Sequence, residues 1–296
     1  MTISPQPLTI GVFDSGFGGL TVLRALLPLI PAARYIYLGD TARLPYGSKS
    51  RETIARYAVS SARFLHQQGA DLLVIACNTA TALALDDIRA ALPIPVIGVI
   101  QPGAQAAHTA ATLSRNTQPD SSILVLATAA TVHSHAYTHA LNALGLNATE
   151  KACPLLVPIV EEGWLPSPLP DTTHEPRKSA VTAEVLRIYL TEALAAAPHA
   201  TTLLLGCTHY PLLKPLIEST LQSLHHPMTI IDSAEATAQT VAHTVAQTRA
   251  QSTPPSTSIH LTCTFYATDS VEKFQQLGSH FLGQPLTQVH LIDLGG

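Results

Sequence analysis

The sequence carries little charge: Asp, Glu, Lys and Arg make up 12% of its 296 residues, whereas hydrophobic residues make up 46%. So much apolar material excludes a chain that is disordered throughout, and it suffices for one large core or two smaller ones. Acidic residues outnumber basic ones by 20 to 16, so there is no basic surplus to attract a nucleic-acid backbone or an anionic membrane. We expect a globular protein of two domains that binds neither.

The sequence also lacks a long apolar run and an export signal. Runs such as residues 72–76 and 203–205 are far shorter than the roughly 20 residues that a membrane-spanning helix needs. The opening MTISPQPLTIGVF shows no positive region followed by an apolar run and a small-residue cleavage site. We therefore expect a cytoplasmic location.

Cysteine is scarce, and its four residues lie far apart: Cys77, Cys153, Cys207 and Cys263. Small domains held together by disulfides have a dense cysteine pattern, which this spacing does not match. The sequence has no Cys-x-x-Cys redox pair either. We interpret the four as free thiols, with a long-range disulfide between Cys77 and Cys207 as the redox alternative.

Short apolar runs alternate with amphipathic stretches rich in Ala and Leu, which predicts an α/β fold of parallel strands and crossover helices. The predicted strands, which suit two small sheets, are residues 8–13, 35–38, 72–76, 96–99, 123–127, 155–159, 201–205, 229–231 and 259–265. The predicted helices are residues 19–29, 50–68, 81–91, 135–144, 179–196, 211–224 and 234–251. Segments 165–178 and 251–258 contain several prolines and are interpreted as surface loops, with a lid over the active site as the alternative.

Two corners of the chain are similar. Residues 72–79 read LLVIACNT and residues 203–209 read LLLGCTH, so in both an apolar strand reaches a small residue, a cysteine and two polar residues before a predicted helix. A thiol at the start of a helix meets backbone N–H groups and a positive dipole, which favour thiolate. We expect the pKa of such a cysteine to fall from about 8.5 towards cellular pH. The alternative is a buried thiol that serves as a small apolar side chain.

A pair of such thiols suits inversion of a carbon centre. One group removes a proton from one face of a planar intermediate, and a second group delivers a proton to the other face. The two groups exchange roles in the reverse direction, so two similar thiols are appropriate. The candidates are Cys77 and Cys207.

The first predicted strand ends in a glycine-rich turn, Asp14-Ser-Gly-Phe-Gly-Gly19. It has neither the Gly-Lys-Ser/Thr ending of a phosphate-binding loop nor the Gly-x-Gly-x-x-Gly spacing, which makes a nucleotide site a weak alternative. Asp14 lies where an open α/β sheet gathers its ligands, so it is a candidate to orient a substrate ammonium or a catalytic thiol. A helix cap is the competing role.

A second polar turn, GDTARLPYGS at residues 39–48, offers Tyr46, Ser48 and backbone N–H groups as carboxylate donors, although ordinary turn chemistry also explains Pro45 and Gly47. The other candidate binding groups at strand ends are neutral. They are Ser15, Asn78, Thr79, Thr128 and Thr208. Fixed neutral dipoles can hold an anion without a nearby cation.

Taken together, these motifs resemble those of the glutamate racemase family, and they occur in the same order. The matching segments are residues 12–23 (VFDSGFGGLTVL), 39–47 (GDTARLPYG), 76–80 (ACNTA) and 206–213 (GCTHYPLL). The resemblance runs from about residue 10 to residue 233, with weaker support at 153–163 and 231–233. It implies a cofactor-independent enzyme that makes D-glutamate for peptidoglycan.

The resemblance also implies an architecture of two similar three-layer α/β domains with mainly parallel sheets and the active site in the cleft between them. The implied first domain comprises residues 1–101 and 213–296, and the second comprises residues 102–212. Free glutamate is the implied substrate, and a homodimer is possible.

Carried onto matching positions, the resemblance makes Cys77 and Cys207 the acid-base residues and Asp14 and His209 their assisting partners. An acidic group is expected at Glu161 or Glu162. The implied substrate contacts, in addition to Asp14 and His209, are Ser15, Tyr46, Gly47, Asn78, Thr79 and Thr208, to which Thr128 is added as the candidate after the fifth strand.

The sequence departs from the family pattern at two positions near these motifs. Ala127 stands where the family usually has Gly, and Thr81 stands where it usually has Ser. Because Ala127 adds a methyl group, we expect it to affect rate and selectivity rather than reaction type.

Other functions have weaker support in the sequence. His133, His135 and His139 are candidate metal ligands, but no His-Glu-x-x-His pattern or Cys/His set accompanies them. The lysines lack a persuasive Schiff-base site for pyridoxal phosphate. A non-catalytic amino-acid sensor, an aspartate racemase and a cofactorless decarboxylase remain as alternatives, although the last would not obviously need two thiols.

Overall fold

The computed structural model describes residues 7–115, 122–165, 175–250 and 262–295. The predicted loop at 251–258 lies outside these ranges, as do residues 166–174 of the other predicted loop. No helix in the described ranges is long and apolar enough to cross a membrane.

Ten strands and eleven α-helices run through the described residues. The strands are β1 (Thr9–Asp14), β2 (Arg34–Gly39), β3 (Leu72–Ile75), β4 (Val96–Gly98), β5 (Ser122–Ala127), β6 (Ala148–Ala152), β7 (Ala200–Gly206), β8 (Thr229–Asp232), β9 (Thr262–Ala267) and β10 (Val289–Leu291). The α-helices are α1 (Leu20–Leu29), α2 (Arg51–Gln67), α3 (Asn78–Ala91), α4 (Ile100–Arg115), α5 (Ala129–Ser134), α6 (Ala136–Asn142), α7 (Leu156–Glu161), α8 (Glu175–Ala196), α9 (Lys214–Ser223), α10 (Ser233–Ala250) and α11 (Val271–Leu282).

The chain divides into two compact units, one of Met1–Val99 with Ala234–Gly296 and one of Ile100–Ser233. The resemblance implies that residues 213–233 belong to the first domain. In the structure they belong to the second unit, because β8 pairs with β7 along its length. Each unit holds one sheet in which all strands are parallel, with helices on both sides.

The sheet of the first unit has the order β10-β9-β2-β1-β3-β4. Its central strand, β1, is buried on both faces, as expected for a parallel strand covered by helices. The pairing sets Asp14 opposite Gly39 and Phe13 opposite Ile75. The residues that follow β1, β2 and β3 therefore meet at one edge of the sheet.

The sheet of the second unit has the order β6-β5-β7-β8. Its two central strands, β5 and β7, are buried over most of their length. Ala127 pairs with Gly206 on one side and with Ala152 on the other. The residues that follow β5, β6 and β7 consequently share the edge at which Cys207 lies.

The predicted strand at 155–159 is wrong, since these residues belong to α7 and the turn before it. Pro158 lies in the first turn of that helix, where a missing N–H costs nothing. The strand of this region is β6, with the sequence ATEKA, which lies at the sheet edge and is only half-buried. An edge strand of that kind lacks the apolar run by which the other strands were recognised. The predictions also omit α4, α5, α11 and β10.

We expect Gly19→Ala to destabilise the first unit. A Cβ atom at this position, just before α1, would lie 2.5 Å from the Asp14 Cβ and 2.8 Å from the Ala76 Cβ. Overpacking of this kind costs about 1–3 kcal/mol, which urea unfolding would measure as a lower free energy of unfolding.

Gly103→Ala is the matched control. Gly103 lies within α4, and the nearest heavy atoms to a Cβ at this position would be 3.4 Å away, which is ordinary contact. Alanine is the better helix former by about 1 kcal/mol, so this variant should be at least as stable as the parent. Parental stability in Gly19→Ala would contradict the close packing of the first turn.

Candidate active site

Cys77 lies just beyond β3 and is the N-terminal cap of α3. Its sulfur accepts a hydrogen bond from the backbone N–H of Ala80 at 3.4 Å and lies 3.3 Å from the Ser15 hydroxyl. Ser15 follows β1, so the pairing of β1 with β3 is what brings these two side chains together. Asn78 and Thr79, the two residues after Cys77, lie in the first turn of α3 and are buried.

Burial dominates the ionisation of Cys77. Loss of water, followed by the negative charge of Asp14, raises the pKa of this thiol to about 12, and the hydrogen bonds from Ser15 and Ala80 oppose this to a smaller extent. The expected fall of the pKa towards cellular pH is therefore wrong for Cys77. The sequence shows the start of a helix but does not show the dehydration that outweighs it. At neutral pH this side chain is a thiol and thus a proton donor.

The side chains of Asp14 and Tyr37 bind the backbone N–H and the backbone carbonyl of Gly16. The backbone N–H of Gly16 donates to Asp14 Oδ2 at 2.9 Å, and the Tyr37 hydroxyl donates to the Gly16 carbonyl at 3.0 Å. Burial, together with the charges of Asp14 and Cys77, raises the pKa of Tyr37, which keeps its hydroxyl a donor. This arrangement fixes the backbone that presents Ser15 to the thiol.

The hydroxyls of Tyr46 and Ser48, which the sequence offered as carboxylate donors, bind within their own turn. The Tyr46 hydroxyl donates to Asp40 Oδ2 at 2.6 Å, and the Ser48 hydroxyl donates to the Pro45 carbonyl at 3.3 Å. Burial and the negative charge of Asp40 raise the pKa of Tyr46, so its hydroxyl remains protonated. A ligand contact from Tyr46 or Gly47 would accordingly use backbone N–H groups.

The second corner couples three polar side chains in a row. Cys207 follows β7, and its sulfur lies 3.9 Å from Nδ1 of His209. The other ring nitrogen, Nε2, lies 3.0 Å from Oε1 of Glu161 at the end of α7. The sequence could not choose between Glu161 and Glu162. The structure places Glu161 against the imidazole, whereas Glu162 is exposed.

His209 is cationic at neutral pH. Burial acts to lower its pKa, but the hydrogen bonds and negative charges of Cys207 and Glu161 outweigh burial and raise the pKa to about 10. A protonated imidazole beside a sulfur favours negative charge on that sulfur and can also supply a proton to it. The second corner thus has a cation next to its thiol, and the first corner has an anion.

Thr128 and Thr208 lie at the same edge of the second sheet. Thr128 caps α5, where its hydroxyl accepts a hydrogen bond from the Thr131 N–H at 3.4 Å. The Thr208 hydroxyl lies 3.4 Å from Nδ1 of His209. Ala127, fully buried, precedes Thr128 and pairs with Gly206, so its extra methyl group lies behind this edge.

Two further polar residues, Asp40 and Thr268, lie beside the Tyr46 turn, and the sequence did not single them out. Asp40 is fully buried and comes directly after β2, and Asp14 is the last residue of the neighbouring β1. The occurrence of an aspartate at the end of both strands is the signal in the sequence that could have identified Asp40. Thr268 follows β9, which is far away in the chain but pairs with β2.

The three histidines that are candidate metal ligands lie on or between α5 and α6. The ring centroids of His135 and His139 are 6.3 Å apart. No group of three His, Cys, Asp or Glu side chains in the described ranges is placed to hold a metal ion.

Comparison with known proteins identifies the family. Residues 10–241 match the Asp/Glu/Hydantoin racemase family. Glutamate racemase of Koribacter versatilis is 48% identical over 99% of this chain and 100% of that protein. Glutamate racemase of Syntrophus aciditrophicus is 42% identical over 98% of each chain.

Solved structures give the same result. Glutamate racemase from Francisella tularensis in complex with D-glutamate superposes with a TM-score of 0.81, at 31% identity over 97% of this chain and 98% of that one. Glutamate racemase from Thermus thermophilus in complex with β-chloro-D-alanine superposes with a TM-score of 0.78, at 36% identity over 99% of each chain.

We expect Glu161→Gln to lower the pKa of His209 from about 10, because it removes one of the two negative partners that raise it. A ¹⁵N NMR titration of the imidazoles would follow this, with the His209 signal assigned by its loss in His209→Asn.

Glu162→Gln is the matched control, since it removes the same charge from the next residue, which is exposed. It should leave the titration of His209 unchanged. An equal shift in both variants would show that Glu161 acts through general charge and not through its hydrogen bond.

Proposed function

The chain belongs to the Asp/Glu/Hydantoin racemase family, and we propose that its two thiol corners carry out the reaction of that family together. The chain is an enzyme that interconverts L-glutamate and D-glutamate. The proposal concerns the residues that do this and the order in which they exchange protons.

The observation that carries the proposal is the presence of a buried thiol with a polar partner at the end of a central strand in each unit. Cys77 has Ser15 and the charge of Asp14 beside it. Cys207 has His209, which is braced by Glu161. Each thiol thus has groups that bias its protonation, as an acid-base residue requires.

In the proposed reaction, the two sulfurs act on opposite faces of the glutamate α-carbon. One thiolate removes the α-proton and becomes a thiol, and the electron pair passes into the substrate carboxylate as a planar intermediate forms. The other thiol then protonates the α-carbon from the opposite face and becomes a thiolate. No atom or electron is gained or lost, and we propose that no cofactor takes part.

The two corners favour different starting states. Cys77, with its pKa raised to about 12, starts as the thiol. We assign the role of initial base to Cys207, because Nδ1 of the cationic His209 lies 3.9 Å from its sulfur. The isomer whose α-hydrogen faces Cys207 is therefore deprotonated directly, whereas the other isomer first requires proton transfer from Cys77, for which the buried Asp14 carboxylate is the candidate acceptor.

We propose that the substrate is held by the polar groups at the same strand ends. These are Asp14, Ser15, Asn78, Thr79, Thr128, Thr208, His209 and the backbone N–H groups of Tyr46 and Gly47. Asp14 and the cationic His209 suit the ammonium and a carboxylate respectively. The D-glutamate complex of the Francisella tularensis relative supports a site for free glutamate in this fold.

The physiological setting is also a proposal. D-glutamate is a building block of peptidoglycan, so we propose that this enzyme supplies it for cell-wall synthesis. Free glutamate is a cytoplasmic metabolite, which supports a cytoplasmic location. A homodimer would be visible in sedimentation of the purified chain.

We expect Cys77→Ser and Cys207→Ser each to slow racemisation by at least about 100-fold, because general acid–base groups contribute about 10²–10⁴-fold. The measurement is optical rotation of L-glutamate and of D-glutamate in deuterium oxide, together with NMR of α-deuterium incorporation.

Cys263→Ser is the control, since this half-buried thiol lies on β9 and outside both corners. This variant should racemise glutamate and incorporate α-deuterium at the parental rate. Parental racemisation by either corner variant would overturn the two-thiol mechanism, and failure of the parent to convert glutamate would overturn the proposed function.

A further inference from the structure

The turn that carries Tyr46 and Gly47 is anchored on one buried carboxylate. Asp40 is fully buried, and its Oδ2 accepts a hydrogen bond from the Tyr46 hydroxyl at 2.6 Å and lies 3.3 Å from the Arg43 guanidinium. A buried carboxylate without such partners would cost several kcal/mol. Asp40 therefore fixes the turn on both sides of Pro45.

The second oxygen of this carboxylate binds a different part of the chain. The Thr268 hydroxyl donates to Asp40 Oδ1 at 3.0 Å, and the same hydroxyl oxygen accepts from the Ala42 N–H at 2.9 Å. Thr268 follows β9, so one side chain connects the end of β9 both to the carboxylate and to the start of the turn. The backbone N–H of Thr268 also donates a hydrogen bond to the Gly39 carbonyl at 3.3 Å.

The residues flanking these contacts are also tied across the two segments. The Thr41 hydroxyl donates to the Asp269 carbonyl at 2.7 Å and accepts from the Asp269 N–H at 2.9 Å. Arg43 donates to the carbonyl of Gly295 and stacks over the ring of Tyr57, 4.5 Å from its centroid. The turn is thus held from the C-terminal part of the chain as well as from its own strand.

These contacts leave the Tyr46 side chain no hydroxyl proton for a ligand. Its hydrogen goes to Asp40, so the turn would meet the substrate with backbone N–H groups, whose direction depends on where the whole turn is held. A small rotation of the turn would misdirect them, because hydrogen bonds weaken steeply as the donor angle falls.

We propose that Thr268 is a positioning residue for the substrate, acting through Asp40 on the Tyr46–Gly47 backbone. This inference deepens the proposed function and rests on it, because it takes those two residues as substrate contacts. Thr268 itself does not touch the reacting atoms. Its effect should therefore fall on substrate affinity and much less on the proton transfers at Cys77 and Cys207.

The test compares Thr268→Val, which keeps the shape and loses the hydroxyl, with Thr268→Ser, which keeps the hydroxyl. We expect Thr268→Val to raise the KM for glutamate about tenfold while kcat changes by less than about threefold, and Thr268→Ser to restore the parental KM. Asp40→Asn should raise KM in the same direction. Thr109→Val is the control, because this exposed hydroxyl binds only within α4.

Hydrogen exchange provides a readout that needs no activity. The backbone amides of residues 44 and 46–48 should exchange faster in Thr268→Val than in the parent and at the parental rate in Thr268→Ser. This measurement stands even if the parent does not convert glutamate, so failure of the proposed function and failure of the positioning role are distinguishable.

Two results would overturn the inference. One is a parental KM and parental exchange in Thr268→Val. The other is a loss of kcat that Thr268→Ser fails to restore, which would indicate a packing role for the residue.

Discussion

The parallel pairing of β1 with β2 and β3 is the constraint on which the Cys77 corner depends. Because these strands end at one edge, the residues that follow them are brought together from positions more than sixty residues apart, as the contact between Ser15 and Cys77 shows. The second unit has the same arrangement, because the parallel pairing of β5 with β7 places Thr128 and Cys207 at one edge of its sheet. Neither corner is assembled from a long loop. The side chains of each corner are instead held in place by the buried strands that they follow.

The two corners look alike in sequence but differ in charge. Cys77 is buried beside the carboxylate of Asp14, which stabilises the protonated sulfur. Cys207 is buried beside the imidazole of His209, whose pKa is raised by its contacts with Cys207 and Glu161, so a cation lies next to this sulfur. The proposed reaction needs one base and one acid, and this difference in charge between the corners suits those two roles. In the proposed mechanism, the reverse reaction uses the opposite pair of protonation states, which would be reached by proton transfer through these same neighbours.

The sequence predicted what depends on local pattern. The strand-to-helix corners at Cys77 and Cys207, the α/β class and most helices follow from apolar periodicity and from the residues at strand ends. It missed what depends on depth or distance. The elevated pKa of Cys77 reflects dehydration by the surrounding fold. The edge strand β6 is too polar to be recognised, and the bond from Thr268 to Asp40 joins residues 228 positions apart.

The Asp40 network shows why polar groups beside a site need not bind the ligand themselves. The carboxylate accepts from Tyr46 and Thr268 and pairs with Arg43, so its charge is compensated locally and is not presented to an anionic substrate. An exposed acidic group at this edge would repel the carboxylates of glutamate. Burying the charge and using it to orient a neutral turn removes the repulsion while keeping the strength of charge-assisted hydrogen bonds, which are roughly twice as strong as neutral ones. The turn can therefore present backbone N–H groups to a carboxylate in a fixed direction and without an exposed negative charge.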